Sequence, residues 1–400
     1  MKNDSLTSNS NSCQKIGVVG GGQLAQMLAK AAAQRNIKLI VQTGSRTDPA
    51  VSYANGLVLA DISDINGTRD LASKCRCITF ENEWIDVKTL SLLEEEQGVL
   101  FQPELKSMSP LVDKISQRKL LNKLNIPSPE WFSLSCLKIT SLKLPDGWSF
   151  PLMAKSGRGG YDGKGTRKIN DYKELKELLI TVDPETWLLE KWISYEKELA
   201  FVASRDSSGC INSFPLIETF QHKQVCDWVL APANVCHATQ AMAYNVGASL
   251  LRELDYVGVL AIEFFYGDEG LLVNEIAPRT HNSAHFTIDA CSSSQFDQQI
   301  CIAAGLPTPS ISLEVPGSLM VNLLGLPIEG NSLKERLTKL RKIKGAKLHW
   351  YSKEKETPGR KLGHMTIPLM EKDPSKRIKT ARELIQKIRS IWPINVPNIN

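Results

Sequence analysis

The sequence has little charge imbalance, no long apolar run and no paired metal-binding cysteines, and each shortage closes off a class of protein. Lys and Arg number 48 against 43 Asp and Glu, a formal net charge of +5 spread over 400 residues. That is too small and too diffuse for a nucleic-acid surface. No run of about 18 apolar residues occurs, so no membrane span is expected. Nine cysteines are scattered, mostly in apolar surroundings (Cys136, Cys210, Cys236, Cys291, Cys301). Cys75 and Cys77 lack both CxxC spacing and a second pair, which argues against a zinc knuckle and for reduced thiols in the cytoplasm. Residues 1–14 are polar, with neither an apolar core nor an Arg-rich amphipathic pattern. They are expected to be a disordered tail rather than a signal or transit peptide.

What is present is an average soluble mixture, 42% hydrophobic and 23% charged, long enough for two or three domains. Ile16–Val19, Ile37–Val41, Leu57–Leu59 and Cys77–Phe80 read as short buried strands separated by helical patterns, the first at Gln23–Gln34. That rhythm predicts a doubly wound parallel sheet. From about Leu111 the texture changes. A helix at Lys114–Leu124 ends before Pro127 and Pro129, and strand-like runs then alternate with helices in an α+β pattern with antiparallel pairing. After Pro307 a shorter segment holds strands near Leu319–Leu323 and Lys347–Tyr351, a basic loop and a closing helix at Thr380–Ile391.

Four stretches carry chemistry. Gly20-Gly21-Gly22-Gln23-Leu24-Ala25 fits a loose dinucleotide pattern, but Gln42, Thr43 and Gly44 supply no acid for a ribose. The turn therefore suits some anion at a helix N-terminus, or is purely structural. Lys155 to Gly165 packs five glycines and three cations into eleven residues without a P-loop pattern. Between two strands it reads as a hairpin flap able to close over a polyphosphate, or as a mobile surface hairpin.

The third stretch, AIEFFYGDEGLLVNEIAPR, reads as a hairpin. A three-residue turn with Gly270 left-handed sets Glu263 opposite Glu275; a two-residue turn sets it opposite Asn274. Facing carboxylates cost stability unless a cation lies between them, and magnesium suits their hard oxygens; two solvated glutamates are the alternative. Arg279 and His281 follow with like parity, where a guanidinium could fork onto a planar oxyanion. The fourth stretch brings Lys353, Arg360 and Lys361 near turn residues and aromatics, a phosphate pocket or a solvated charge run.

Taken in order, VVGGGQL, K-x-x-x-G-G-Y-D-G-K-G, LLEKWI, VGVLAIEFF…LLVNEIAPRTHNS and LHWYSKE…PGRKLGHM closely resemble the N5-carboxyaminoimidazole ribonucleotide synthases, from about Ile16 to about Thr366. The glutamate hairpin alone marks only the wider ATP-grasp superfamily. The resemblance implies a pre-ATP-grasp Rossmann-like domain at 15–110, an ATP-grasp domain at 111–310 with a flap subdomain at about 127–203, and a small β-rich C-terminal domain at 311–400. It implies carboxylation of 5-aminoimidazole ribonucleotide with ATP, bicarbonate and magnesium in purine biosynthesis. A homodimer and a functional pairing with the mutase subunit of the same pathway are implied as well. Another ATP-grasp carboxylate–amine ligase, or a non-catalytic nucleotide-binding module, are the alternatives.

By the same resemblance, Lys114 and Lys155 would hold phosphates and Gly160, Tyr161, Asp162, Gly163, Lys164, Gly165 and Thr166 would form the flap. Glu190, Lys191, Trp192 and Ile193 would meet the adenine, and Glu198 the ribose. Glu263 and Glu275 would hold magnesium, with Asn274 beside them. Arg279, His281 and Asn282 would form the bicarbonate site, with Tyr161 and Asp162 closing over the aminoimidazole. Gln23 and Glu81 would face that substrate, and Lys353, Arg360 and Lys361 its phosphate. Two departures stand out: Gln221-His222-Lys223-Gln224 replaces the usual histidine before a glycine turn, and Lys114 takes a place often held by arginine.

Overall fold

A computed structural model describes residues 15–160, 165–326 and 333–394. The expected tail at 1–14 and the flap residues Tyr161, Asp162, Gly163 and Lys164 lie outside the described residues.

Five short strands make the first sheet: β1 (Lys15–Val19), β2 (Lys38–Thr43), β3 (Gly56–Leu59), β4 (Cys77–Phe80) and β5 (Leu100–Phe101). They run in the order β3-β2-β1-β4-β5, all parallel. The near-continuous burial of β1, β2 and β4 is what a parallel sheet covered on both faces demands.

A four-stranded antiparallel sheet follows, built from β6 (Trp131–Ser133), β7 (Leu152–Ser156), β8 (Thr166–Ile169) and β9 (Trp187–Lys191) in the order β6-β9-β7-β8. The flap is the β7–β8 hairpin, as its composition predicts. This sheet ends at Lys191, and the next strand pairs elsewhere.

That next strand, β10 (Lys197–Arg205), opens the largest sheet. It continues with β11 (Ile211–Ser213), β12 (Ile217–His222), β13 (Val225–Ala231), β14 (Gly258–Gly267), β15 (Gly270–Ala277), β16 (Gly317–Leu324), β17 (Lys347–Trp350) and β18 (Lys361–Leu369). Its order is β15-β14-β10-β12-β13-β16-β18-β17, with β11 beside β10. The C-terminal segment thus places its strands on the far side of the central sheet instead of building one of its own. β18 occupies a stretch that the sequence suggests is a basic loop.

Two devices lock the first sheet to the central one. The Gln295–Ala303 helix packs Phe296 and Ile300 against Ala25 and Leu28 of the Gln23–Gln34 helix in one buried cluster. Gln299 from the same helix, 2% exposed, donates to Thr79 Oγ1 at 3.0 Å and to the Gln102 carbonyl at 3.2 Å, and accepts from Val259 N at 2.9 Å. One buried amide thereby satisfies groups from three strands or strand ends, leaving none of its polar atoms idle.

Where the C-terminal strands meet the rest, imidazoles are buried. His285 and His364 are fully enclosed, and the Nε2 atom of each has no hydrogen-bond partner among the described residues. His364 stacks on His349 at 4.5 Å between ring centroids. Burial, then the neighbouring imidazoles and lysines, holds both His285 and His364 well below the ordinary 6.5. Between those folded values and 6.5 the unfolded chain binds more protons than the folded one. Stability is therefore complete above pH 6.5 and is lost as pH falls below it, at up to ~1.4 kcal/mol per pH unit per histidine. The melting temperature should drop between pH 7 and pH 5, and His364→Gln should flatten that slope. A flat profile for the unaltered protein would remove the effect.

Candidate active site

The glycine turn after β1 does bind an anion, and the anion is the protein's own. Glu81, just beyond β4, accepts from Gly22 N at 2.6 Å and Leu24 N at 3.0 Å, at the start of the Gln23–Gln34 helix. A Cβ on Gly20 would come within 2.4 Å of Glu81 Cβ, and one on Gly22 within 2.5 Å of its Oε1. Gly20 also holds φ +129°. Both positions therefore require glycine to seat this carboxylate. Burial holds the Glu81 carboxyl above its ordinary range against those backbone bonds and the charge of Lys353. Lys353 Nζ donates to Gln23 Oε1 at 2.8 Å, so the C-terminal loop meets the first sheet at this point. Arg360 lies exposed before β18, donating to the Lys355 carbonyl at 3.0 Å.

The glutamate hairpin carries the main geometry. Its turn is the two-residue one, with Gly267 paired to Gly270 and Phe264 to Val273. That register alone would put Glu263 opposite Asn274. A bulge at Asn274 adds one residue to β15 and restores Glu263 opposite Glu275. The expected pairing is thus reached by the turn that seemed to forbid it, and Gly270 is left-handed as expected (φ +81°). Even-numbered Leu260, Ile262 and Phe264 fill one core while Val259 and Ala261 fill another on the opposite face. Glu263 continues the second face.

The two carboxylates are half-buried and differ in charge state. Burial, then the charges of Glu275 and Glu198, pushes Glu263 up to about 7. Burial also opposes ionisation of Glu275, but the charge and hydrogen bond of Lys114, with Lys155 and His281 adding to them, hold it down at about 2. Lys114 Nζ lies 2.5 Å from Glu275 Oε1. Two carboxylates on facing strands, one of them pushed up by the charge of the other, suit a hard divalent cation between them.

Lys114 begins the Lys114–Lys123 helix, capped by Asp113. Its positions i, i+3 and i+4 read three consecutive residues of β15. Lys114 takes Glu275; Gln117 accepts from Ile276 N at 3.1 Å and donates to Ile276 O at 2.8 Å; Arg118 donates to Asn274 O at 2.6 Å. Since β15 is the sheet's edge strand, these side chains cover its open hydrogen bonds. Gln117 also donates to Leu111 O at 2.7 Å. Gln117→Leu would leave three buried backbone groups unpaired, and urea denaturation should show a loss of about 2–3 kcal/mol. A loss under ~0.5 kcal/mol would show that Gln117 does not hold this edge.

The flap is rooted at the same place. Lys114 N donates to the Gly157 carbonyl at 2.8 Å and Ser156 N to the Gly165 carbonyl at 2.7 Å. Lys155, at the end of β7, reaches Asn274 Oδ1 at 2.8 Å and Glu190 Oε2 at 2.7 Å. Gly160 is half-buried at the edge of the described flap. Thr166 Oγ1 donates to Gln224 Oε1 at 2.5 Å, tying β8 to the β12–β13 turn.

At the end of β9, Lys191 pairs with Glu130 at 2.8 Å. Trp192 is exposed with Lys168 Nζ 4.6 Å above its ring, and Ile193 is half-buried. Glu198 accepts from the Tyr195 hydroxyl at 2.7 Å, and burial holds its carboxyl above the ordinary range.

Beyond β15, Arg279 forks onto Glu83, with Nη2 3.2 Å from Oε1 and Nε bonded to Oε2. His281 Nε2 lies 3.7 Å from Glu263 Oε1, while its Nδ1 accepts from Ser283 N at 3.4 Å. Burial, then the charges of Arg279 and Lys361, holds this imidazole down to about 3. It is therefore neutral, and its Nδ1 also lies 2.9 Å from Ser283 Oγ. Asn282 exchanges amide bonds with Asn322 of β16 at 2.7 and 3.1 Å. Lys361, expected at a substrate phosphate, acts electrostatically on Glu263 and His281. Glu83, Gln117, Arg118 and Asn322 escape the sequence motifs. The i+3 and i+4 spacing from Lys114 is the one local signal for any of them.

A flap rooted beside paired glutamates, between two α+β sheets, defines the ATP-grasp ligases, enzymes that join a carboxylate to an amine. Family models match accordingly: an ATP-grasp domain at residues 119–296, a ribonucleotide synthetase preATP-grasp domain at 13–109, and a phosphoribosylaminoimidazole carboxylase C-terminal domain at 318–375. The chain is 44% identical over 380 residues to the N5-carboxyaminoimidazole ribonucleotide synthase of Synechococcus elongatus, covering 95% of this chain and 96% of that one. It is 33% identical to the synthase of Bacillus subtilis, covering 94% and 95%. A crystal structure of the Aspergillus clavatus carboxyaminoimidazole ribonucleotide synthase complexed with ATP superposes with a TM-score of 0.84 at 30% identity, covering 94% and 99%. The chain belongs to the N5-carboxyaminoimidazole ribonucleotide synthase family.

Proposed function

We propose that this chain uses ATP to carboxylate the exocyclic amine of 5-aminoimidazole ribonucleotide with bicarbonate. The observation that carries the reading is Glu263 opposite Glu275, a pairing restored by the Asn274 bulge, next to a flap hairpin rooted on Lys114. In support, a relative of similar fold (TM-score 0.81, 29% identity) was crystallised with ADP and 5-aminoimidazole ribonucleotide.

Glu263 and Glu275 would hold magnesium, whose charge offsets that of the phosphates when bound. Lys114 and Lys155 turn their ammonium groups to the same phosphates, Glu190 to Ile193 meet the adenine, and Glu198 the ribose. Arg279, whose Nε and Nη2 are held by Glu83, turns its remaining N–H groups and its charge to bicarbonate. A bicarbonate oxygen attacks the γ-phosphorus, the bond to the β-phosphate oxygen breaks, and ADP leaves with that electron pair. The carboxyphosphate so formed hydrolyses readily in water, which is why a closing flap is needed. The amine nitrogen then bonds to the carboxyl carbon and phosphate departs. The departing phosphate accepts the amine proton, with His281 placed to hydrogen-bond an oxygen of the site. Gln23, Glu81, Lys353, Arg360 and Lys361 would receive the ribonucleotide, with Tyr161 and Asp162 closing over it.

Four further proposals complete the reading: a homodimer, a cytoplasmic location, a functional pairing with the mutase subunit of the pathway, and domain boundaries near 110 and 310. No helix among the described residues is long and apolar enough to cross a membrane. With ATP, magnesium and bicarbonate present, ADP release should require 5-aminoimidazole ribonucleotide. ATP turnover indifferent to that ribonucleotide would reject the substrate.

A further inference from the structure

Arg118 is a buried cation that contacts none of the groups placed on substrate except through Glu190 and the Asn274 backbone. It is 2% exposed, as is Glu190. Arg118 Nε lies 2.6 Å from Glu190 Oε1, and Nη2 lies 2.6 Å from the Asn274 carbonyl, the extra residue of the bulge. The other oxygen of Glu190 lies 2.7 Å from Lys155 Nζ. One buried carboxylate therefore faces two cations, and one of them is the lysine assigned above to phosphate.

A lysine whose ammonium is the sole counter-charge of a buried glutamate cannot turn to a ligand freely, because leaving strands that carboxylate at a cost of several kcal/mol. With Arg118 in place, Glu190 stays paired when Lys155 moves. The local charge count says the same. Arg118, Lys155 and Glu190 sum to one positive charge available to a polyphosphate; without Arg118 they sum to zero. The second arm of the guanidinium holds the bulge carbonyl.

We propose that Arg118 is a positioning residue for nucleotide binding, which neutralises Glu190 so that Lys155 is free for phosphate. The proposal rests on the nucleotide site described under the proposed function.

The test is ADP binding by titration calorimetry in magnesium, with the ribonucleotide KM measured alongside. Arg118→Met should weaken ADP binding at least about tenfold and leave the ribonucleotide KM within about twofold. Arg118→Met combined with Glu190→Gln should recover most of the lost ADP affinity, since Lys155 then leaves no charge behind. A merely architectural role predicts no such recovery. ADP binding within twofold of the unaltered protein in Arg118→Met, or no recovery in the double variant, would overturn the proposal. Should Arg118→Met not fold, the double variant is compared with Glu190→Gln alone. Affinities within about threefold of each other support the proposal, and a looser double variant refutes it. Absence of ADP binding in the unaltered protein would instead refute the nucleotide site itself, so the two failures are distinguishable.

Discussion

Glu275→Gln is expected to lower ribonucleotide-dependent ADP release by about 1,000-fold or more, with the melting temperature moving by less than about 3 °C. The substitution keeps the shape of the side chain and removes the one charge in the pair that is already ionised. Glu275 is held at about 2 by Lys114 and its neighbours, whereas Glu263 is pushed up to about 7. Glu275 therefore brings the standing negative charge to a divalent ion, and the transition state loses several kcal/mol of charge stabilisation without it. The fold loses little, because Lys114 retains some access to water, at 14% side-chain exposure. Raising magnesium should restore only a small part of the rate. Turnover within tenfold of the unaltered protein would remove Glu275 from the metal site.

Arg279→Lys should reduce kcat/KM for bicarbonate by about 10²–10³-fold, the usual effect of removing one aligned donor from a developing oxyanion. Lysine keeps the charge but not the planar fork, and the fork is what Glu83 grips from the first sheet. Glu83 lies 196 positions away in sequence, so the damage should include misalignment as well as a lost bond. The apparent KM for ATP should stay within about threefold, which separates this variant from general loss of the cleft. Bicarbonate dependence unchanged by the substitution would mean that Arg279 only braces the two sheets against each other.

Much of this architecture can be read in the sequence wherever a signal is local. The β1 to β4 rhythm, the Lys114–Lys123 helix, the flap strands and the glutamate hairpin each follow from periodicity or turn chemistry within about ten residues. The bulge is legible in retrospect. Leu271 and Val273 keep a two-residue period into the core, and Ile276 resumes it one residue late. The β12–β13 hairpin carries no such local marker, for a definite reason. Its turn uses Lys223 and Gln224 in the left-handed region (φ +49° and +65°), where glycine or asparagine is the usual marker. β18 was obscured by Gly363, His364 and Pro368, and becomes a strand because β16 and β17 pair with it on either side.

The site shows the same divide. Residues in motifs (Lys155, Glu263, Glu275, Arg279, His281) were visible, and the structure gathers them around one hairpin. Those that hold them in place were not, because their partners are distant in sequence. Arg118 and Glu190 are separated by 72 positions, Gln117 and Ile276 by 159. No window over the sequence contains both members of such a pair.

The way β13 is sandwiched has a consequence for how the chain is made. Its neighbour on one side, β12, precedes it directly, but the other, β16, begins at Gly317, and β18 beyond it ends at Leu369. Until those residues leave the ribosome, a strand destined for complete enclosure shows a bare row of amides and carbonyls to every other nascent chain nearby. Synthesis of this protein therefore includes an interval of exposure in which a chaperone matters most, and slow codons between Ala231 and Leu369 would lengthen it.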